Sequence, residues 1–224
     1  MTPPKIKQTS GTCSLCNSSF SKTKMKAHLE SCKQKQAAPS GKQAPTKKAF
    51  MILVRGISLH EYWIYFEVPA NVYLKRIDDF LRDTWVECCG HLSKFTINQK
   101  TYNSMPDAYF DDLGMNYSLY KLMEQGTTFN YEYDFGSTTQ LELKVISEYQ
   151  IEDADSSIKI LARNDPPLIL CENCGNPATY ICAYCEYMDE GWLCDECASV
   201  HECGEEMLLP VVNSPRVGVC GYVG

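Results

Sequence analysis

The chain has 224 residues, 44% of them hydrophobic, with thirteen cysteines and a formal net charge of −7. No apolar run approaches the roughly 18–20 residues of a membrane span, and no apolar stretch follows the lysines of "MTPPKIKQTSGTC" to make a secretory signal. The expectation is a cytoplasmic protein without membrane contact, in a compartment where thiols stay reduced and so many cysteines argue for metal before disulfides.

The charge is unevenly spread. Residues 1–48 hold ten lysines and a single acid, Glu30, for +9, which leaves −16 on the remainder; from Pro166 onward one base, Arg216, faces nine acids. A basic head on an acidic body assigns any polyanion contact to the head.

The first element, "CSLCNSSFSKTKMKAHLESC", reads Cys13-x2-Cys16-x11-His28-x3-Cys32. A thiol pair two residues apart on a turn, followed by His and Cys one helical turn apart, is the ligand pattern of a small CCHC-type zinc finger, with Phe20 and Met25 as its miniature core. Outward helix positions are Ser21, Lys22, Lys24 and Ala27. Lys22, Lys24 and Lys26, with Lys33 and Lys35 beyond, make a phosphate-seeking surface. None of the outward positions is an Arg, Asn or Gln able to read a base edge, and a lone finger covers only about three base pairs. Non-specific contact with DNA, RNA or a ribonucleoprotein is therefore expected. The same spacing resembles ubiquitin-binding fingers of DNA-repair proteins, whose ending is similar to "HLESC".

Residues 33–48, "KQKQAAPSGKQAPTKK", read as a flexible basic linker. "FMILVRGI" and "EYWIYFEVP" predict two strands joined at Ser58–His60. Val72, Leu74, Ile77, Phe80, Leu81, Trp85 and Cys88 lie close to one helical stripe that Gly90 stops; Asp78-Asp79 then reads as a solvated edge and Cys88-Cys89 as core at the helix end. "KFTINQKTY" reads as a third strand. "TTFNYEYDF" and "TQLELKVISEY" follow as two more, turning at Gly136-Ser137, with Leu141, Leu143 and Val145 alternating against Glu142 and Lys144. The expected fold class is α+β: one main helix on a mostly antiparallel sheet, with a ββαβ start similar to β-grasp folds, flanked by small zinc modules. The expected divisions are a basic tail and finger (1–32), the linker (33–48), the α+β domain (49–165) and an acidic double-zinc module with its tail (166–224).

That last segment carries Cys-x-x-Cys pairs at 171/174, 182/185 and 194/197, followed by His201 and Cys203. A single such pair is open to a redox reading, but three in succession without a thioredoxin-type strand–helix context point to zinc. Eight ligands make two closed sites. With only seven residues between the first two pairs, interleaving is favoured over sequential pairing: Cys171, Cys174, Cys194 and Cys197 on one ion, Cys182, Cys185, His201 and Cys203 on the other. Cys220 is the substitute if His201 and Cys203 cannot both reach. Four protein ligands per ion leave no position for water, so the sites are structural. The spacing resembles B-box-like cross-brace modules, which usually contact proteins, and the expected total is about three zinc ions.

The stretches "FMILVRGIS…YWIYFEVPANVYLKRIDDFLRDTW…HLSKFTINQKTY" and "FNYEYDFGSTTQLELKVI" resemble the plasmid pRiA4b ORF-3-like family, also known as insertion-element passenger proteins, over roughly residues 49–150. "YEYDFG" followed by an amphipathic strand is the most specific part. The resemblance implies an α+β domain, often joined to a small metal-binding tail, which "NSPRVGVCGYVG" looks like, and it implies no defined biochemical activity. Two positions depart from the family pattern: "LHEYWIYFEV" lacks the usual arginine, and Ser137 replaces an acid after "YDFG".

Enzymatic features are sparse. Asp134-Phe135-Gly136 matches a kinase tripeptide without the accompanying loops, and a turn explains Gly136. Asp107, Asp111 and Asp112 form an Asp-rich loop that could bind a cation. The expected function is that of a non-catalytic zinc-binding interaction protein contacting nucleic acid or a ribonucleoprotein through its head. The alternatives are an adaptor for a ubiquitin-like or other protein partner and, last, a metal-dependent enzyme using the Asp loop.

Overall fold

The centre of the molecule is set by two long adjacent segments, "TKKAFMILVRG" and "TQLELKVISEYQIE", whose paired residues Ile52 and Val145, and Val54 and Leu143, turn their side chains to the same core. A computed structural model describes residues 9–36, 45–107, 112–152, 157–188 and 190–224. In chain order it has β1 (Ser10–Cys13), β2 (Ser19–Ser21), α1 (Lys22–Gln36), β3 (Thr46–Gly56), β4 (Trp63–Pro69), α2 (Lys75–Leu81), a π-helical turn (Arg82–Val86), β5 (Ser93–Ile97), β6 (Lys100–Asn103), β7 (Leu113–Gly114), α3 (Leu119–Leu122), β8 (Thr128–Tyr133), β9 (Thr139–Glu152) and β10 (Lys159–Asn164). These strands form one sheet in the order β2-β1-β10-β4-β3-β9-β8-β5-β6-β7, antiparallel except for β6 beside β7. The remaining elements are β11 (Tyr180–Cys182), β12 (Trp192–Leu193), α4 (Asp195–Ala198) and β13 (Leu208–Pro210), with a small sheet ordered β12-β11-β13.

Both faces of the sheet are covered, which is why every residue of β4 is buried. On one face Phe50, Ile52, Val54, Ile64, Phe66 and Val68 meet Leu74, Ile77, Leu81 and Trp85 of the α2 region. On the other, Met51, Trp63 and Tyr65 meet Met25 and Leu29 of α1. The head therefore rests on the sheet, and β1 pairs with β10 through Gly11 opposite Asn164. A Cβ on Gly11 would lie 2.3 Å from the Trp63 ring and 2.4 Å from the Arg163 carbonyl oxygen. Gly11→Ala is expected to force β1 away from the sheet and cost roughly 1–3 kcal/mol, as overpacking does; denaturant titration of the two proteins checks it.

The expected α+β class is not what the structure has. The protein is mostly β, a ten-stranded mixed sheet with 19% helix in short pieces, rather than a single-helix ββαβ layer. Three physical causes account for the difference. The stripe over 72–88 is α-helical only for seven residues, and the π turn that follows, closed by Glu87 N–H donating to the Arg82 carbonyl at 3.1 Å, brings adjacent Trp85 and Val86 both into the core. "KFTINQKTY" is a hairpin rather than one strand, because Asn98 and Gln99 both adopt left-handed φ, 48° and 64°. Short polar strands such as "SGTC", "SFS" and "KILARN" carry no strong alternation and are held by pairing.

Asp78 is a further correction. It is not a solvated edge but fully buried, accepting hydrogen bonds from Ser93 Oγ (2.6 Å), Tyr131 Oη (2.9 Å) and Lys75 Nζ (2.8 Å) and an ion pair from Arg82 Nε (3.1 Å). It ties α2 to β5 and β8. Its neighbour Asp79 stays partly exposed, 2.8 Å from Lys75 Nζ.

Candidate metal centres

In the head, the β1–β2 hairpin places Cys13 and Cys16 on one tight turn: Asn17 N–H donates to the Cys13 carbonyl at 2.8 Å, and Asn17 takes a left-handed φ of 57°. The inward stripe of α1, Met25, Leu29 and Cys32, is buried, so His28 and Cys32, one turn apart, face the hairpin. Phe20 stacks on the His28 ring at 4.1 Å and fixes its plane. The ligand atoms of Cys13, Cys16, His28 and Cys32 all lie within 4.8 Å of one another, with Cys16 Sγ 3.3 Å from His28 Nε2.

The acidic segment folds its ligands around β11. Gly175, with φ +76°, turns the first pair: its N–H donates to the Cys171 carbonyl at 2.9 Å. Cys194 precedes α4 and Cys197 lies on it. Cys171, Cys174, Cys194 and Cys197 form one group, and Cys182, Cys185, His201 and Cys203 another. Gly191 (φ +106°) passes so close that a Cβ there would meet Cys185 Cβ at 2.9 Å.

The spacing within the groups suits a small cation. Zinc–sulfur bonds of about 2.3 Å imply tetrahedron edges of about 3.8 Å between sulfurs and somewhat less between sulfur and imidazole nitrogen. The structure has Cys174 Sγ–Cys194 Sγ at 3.5 Å, Cys185 Sγ–Cys203 Sγ at 3.7 Å and Cys185 Sγ–His201 Nε2 at 3.5 Å. Disulfides require about 2.05 Å, and all thirteen cysteines are free thiols. Crowding sets the thiols against one another. Burial, with neighbouring thiols, pushes Cys185 up to about 12, while Cys171 and Cys174 push Cys197 up to about 12. Burial also raises Cys171, but backbone N–H groups aimed at its sulfur bring it down to about 6. A divalent cation removes that conflict by holding every thiolate at once.

A fourth group stands outside the two terminal modules. Cys88, Cys89 and His91 follow the π turn, and Cys220 comes from the closing tail; their ligand atoms also lie within 4.8 Å of one another, with His91 Nε2 at 3.3 Å from Cys220 Sγ. Cys88 is half-buried and packs against the main core, as expected at a helix end, whereas Cys89 is exposed and does not. Cys220 stands with this group and not with His201 and Cys203. The signal in the sequence is "CCGH", three ligands in four residues, but without the fold nothing supplies the fourth.

The remaining sequence-predicted residues are dispersed. Lys22 Nζ donates to the His60 carbonyl at 3.0 Å, and burial holds its pKa below the ordinary lysine value, so it is engaged within the fold. Lys24 and Lys26 are exposed. The side chains of Lys33 and Lys35, the linker at 37–44 and Asp111 lie outside the described residues. Asp107 and Asp112 are exposed, with Asp107 N–H donating to Asp112 Oδ2 at 3.4 Å. Asp134 occupies a turn (φ 64°) where its Oδ1 accepts from Gly136 N–H at 3.0 Å and its Oδ2 pairs with Arg216 at 2.7 Å.

A family model described as "Plasmid pRiA4b ORF-3-like protein" matches residues 50–189. No curated protein matches the chain. Among solved structures, it is similar to a crystal structure of a protein of unknown function from Methanosarcina mazei Go1, at 13% identity and a TM-score of 0.44, over 58% of this chain and 76% of that one.

Proposed function

The chain belongs to the plasmid pRiA4b ORF-3-like family, and from that premise we propose that it is a non-catalytic, zinc-binding interaction protein acting in the cytoplasm. In this reading the finger (1–32), linker (33–48), central domain (49–165) and acidic module (166–224) are successive segments of one packed body, and the finger and linker hold DNA, RNA or a ribonucleoprotein. The observation that carries the zinc assignment is that the three ligand sets drawn from the head and the acidic segment each converge within 4.8 Å. Thiolate-rich, four-ligand sets are the donor chemistry of closed zinc sites, which leave no open position for a reacting water. Cys13, Cys16, His28 and Cys32 would hold the first ion; Cys171, Cys174, Cys194 and Cys197 the second; Cys182, Cys185, His201 and Cys203 the third.

The charge of the head supports polyanion contact, with exposed Lys24 and Lys26 as its described contact residues. The start of α1 is turned into the body through the Lys22–His60 contact, which agrees with phosphate binding rather than base reading. Binding of the full chain to a mixed-sequence oligonucleotide is expected to weaken steeply with added salt. The double change Lys24→Glu and Lys26→Glu is expected to lower the salt slope by about two. Salt-insensitive binding, or none, overturns this assignment.

A second reading, a protein adaptor using the acidic module, is favoured by one observation. Tyr184, Met188 and Val200 of that module are 67%, 74% and 80% exposed, and large apolar side chains left in water often mark protein contacts. Recovery of a protein partner after nuclease treatment, lost on adding a chelator, would select it.

A further inference from the structure

We propose that Cys88, Cys89, His91 and Cys220 form a fourth zinc-type metal site, which staples the closing tail to the end of the π turn. It goes beyond the three sites above and draws its ligands from two segments 129 residues apart.

The backbone on both sides is shaped to present these atoms. Gly90, at φ +73°, turns the chain so that His91 comes back beside the two cysteines. In the tail, Cys220 itself takes a left-handed φ of 53°, between Gly218 at +83° and Gly221 at +70°. A non-glycine residue in that region is uncommon and is held only where its surroundings fix it. The tail is fixed: Ser214 Oγ donates to the Trp85 carbonyl at 2.6 Å, Arg216 is fully buried, and Tyr222 is 3% exposed.

The polar surroundings fit a thiolate-bound cation. Arg216 Nη2 donates to Cys88 Sγ at 3.4 Å and to Asp134 Oδ2 at 2.7 Å, and its Nη1 donates to the Ser137 carbonyl and Thr139 Oγ1, both at 3.0 Å. Three thiolates, one imidazole and a divalent ion carry a net −1, and the buried Arg216 guanidinium lies against the sulfur while shared with Asp134, whose Oδ2 is also 3.7 Å from His91 Nε2. Tyr133 Oη accepts from Cys88 N–H (3.4 Å) and His91 N–H (3.3 Å) and donates to Glu87 (2.8 Å), which orders the ligand-bearing loop. Such outer contacts orient metal ligands. The "YEYDFG" turn and the "NSPRVGVCGYVG" tail thus meet at this one place. On binding, the ion takes the place of the three thiol protons, which pass to solvent, and no oxidant is needed.

None of these four ligands is buried, whereas each of the other groups has at least one that is. The fourth ion is therefore expected to leave first to a chelator.

The test uses the full chain. Native mass spectrometry is expected to count four zinc ions on the wild type and three on Cys89→Ser, on Cys220→Ser and on the double variant, because both residues serve one ion. A count of three on the wild type, unchanged in the variants, overturns the fourth site and leaves the other three standing; a count of none overturns both. Loss of an ion from Cys220→Ser but not from Cys89→Ser would place Cys220 in the acidic module and also overturns it. A second measurement needs no variant. Cys89 and Cys220, though exposed, should resist alkylation in the metal-loaded chain and become alkylated together when chelator is added; free alkylation of both before chelation contradicts the site.

Discussion

Removing metal with a strong chelator is expected to open the segment from Cys171 to Cys203 to protease and to erase its share of the circular dichroism, while the ten-stranded sheet keeps a cooperative melt. The reason lies in how little apolar material the segment has. Its own buried cluster consists of Cys171, Leu193, Cys194 and Ala198, with Tyr180, Cys197 and Leu208 half-buried against it, and three of those seven are cysteines of a candidate metal site. Fully burying a leucine contributes only about 1.5–3 kcal/mol, while ordering each residue costs about 1–2 kcal/mol of backbone entropy alone. A structural zinc ion in a small finger contributes about 10–16 kcal/mol at neutral pH, and two of them reverse the balance. Ile181 packs into the main core, and Trp192 and Leu209 lie against it, so that side of β11 stays anchored and the ligand-bearing turns are what is lost. Returned zinc should restore protease resistance. Unchanged resistance in the stripped chain would mean that the thiol groups are not what holds this segment. The head should respond less, because Met25 and Leu29 rest on Trp63 and Tyr65 of the sheet.

Asp78→Ala is expected to be the most damaging single change in the sheet region, at about 3–5 kcal/mol, the cost of breaking a buried ion pair from one side. The deletion leaves Arg82 without its buried partner and the Ser93 and Tyr131 hydroxyls without their acceptor. Asp78→Asn should lose less, since an amide oxygen still accepts those hydroxyls. Burial works to raise the Asp78 carboxyl, but the Lys75, Ser93, Arg82 and Tyr131 contacts outweigh it and hold the pKa below the ordinary aspartate value. A lowered folded-state pKa stabilises the fold above the unfolded value of about 3.9, and that contribution is lost as pH falls through the folded value. The stability gap between wild type and Asp78→Ala should therefore be full at neutral pH and narrow below about pH 4. Denaturant titrations of both proteins across that range measure it, and a gap independent of pH would contradict the role given to the carboxylate.

These two residue sets also show what a linear reading can and cannot find. The converging Cys/His groups in the head and the acidic segment were legible because metal-ligand patterns restrict both residue type and local spacing; each pair sits within one turn or one helical turn, so the chain displays it. β3, β4, β8 and β9 were legible for a similar reason, since a β-branched and aromatic run, or the alternation of β9, is a local property. Asp78 was not. An aspartate on a helix beside Asp79 looks solvated until Ser93 and Tyr131, fifteen and fifty-three residues away, supply its partners. The Cys88, Cys89, His91 and Cys220 group was hidden in the same way, because only the fold brings the tail to the π turn. The fold class was misread because short polar strands such as β1, β2 and β10 are specified by their neighbours and not by their own pattern, and because the Asn98–Gln99 turn lacks the glycine that usually announces a hairpin.

Zinc K-edge X-ray absorption on the purified, reduced chain tests the central claim most directly. The account predicts a first shell of about four donors, mostly sulfur at about 2.3 Å with a minor imidazole nitrogen contribution and no oxygen. A chain without zinc, or zinc with water in its first shell, would contradict closed, protein-saturated sites and the non-catalytic role drawn from them.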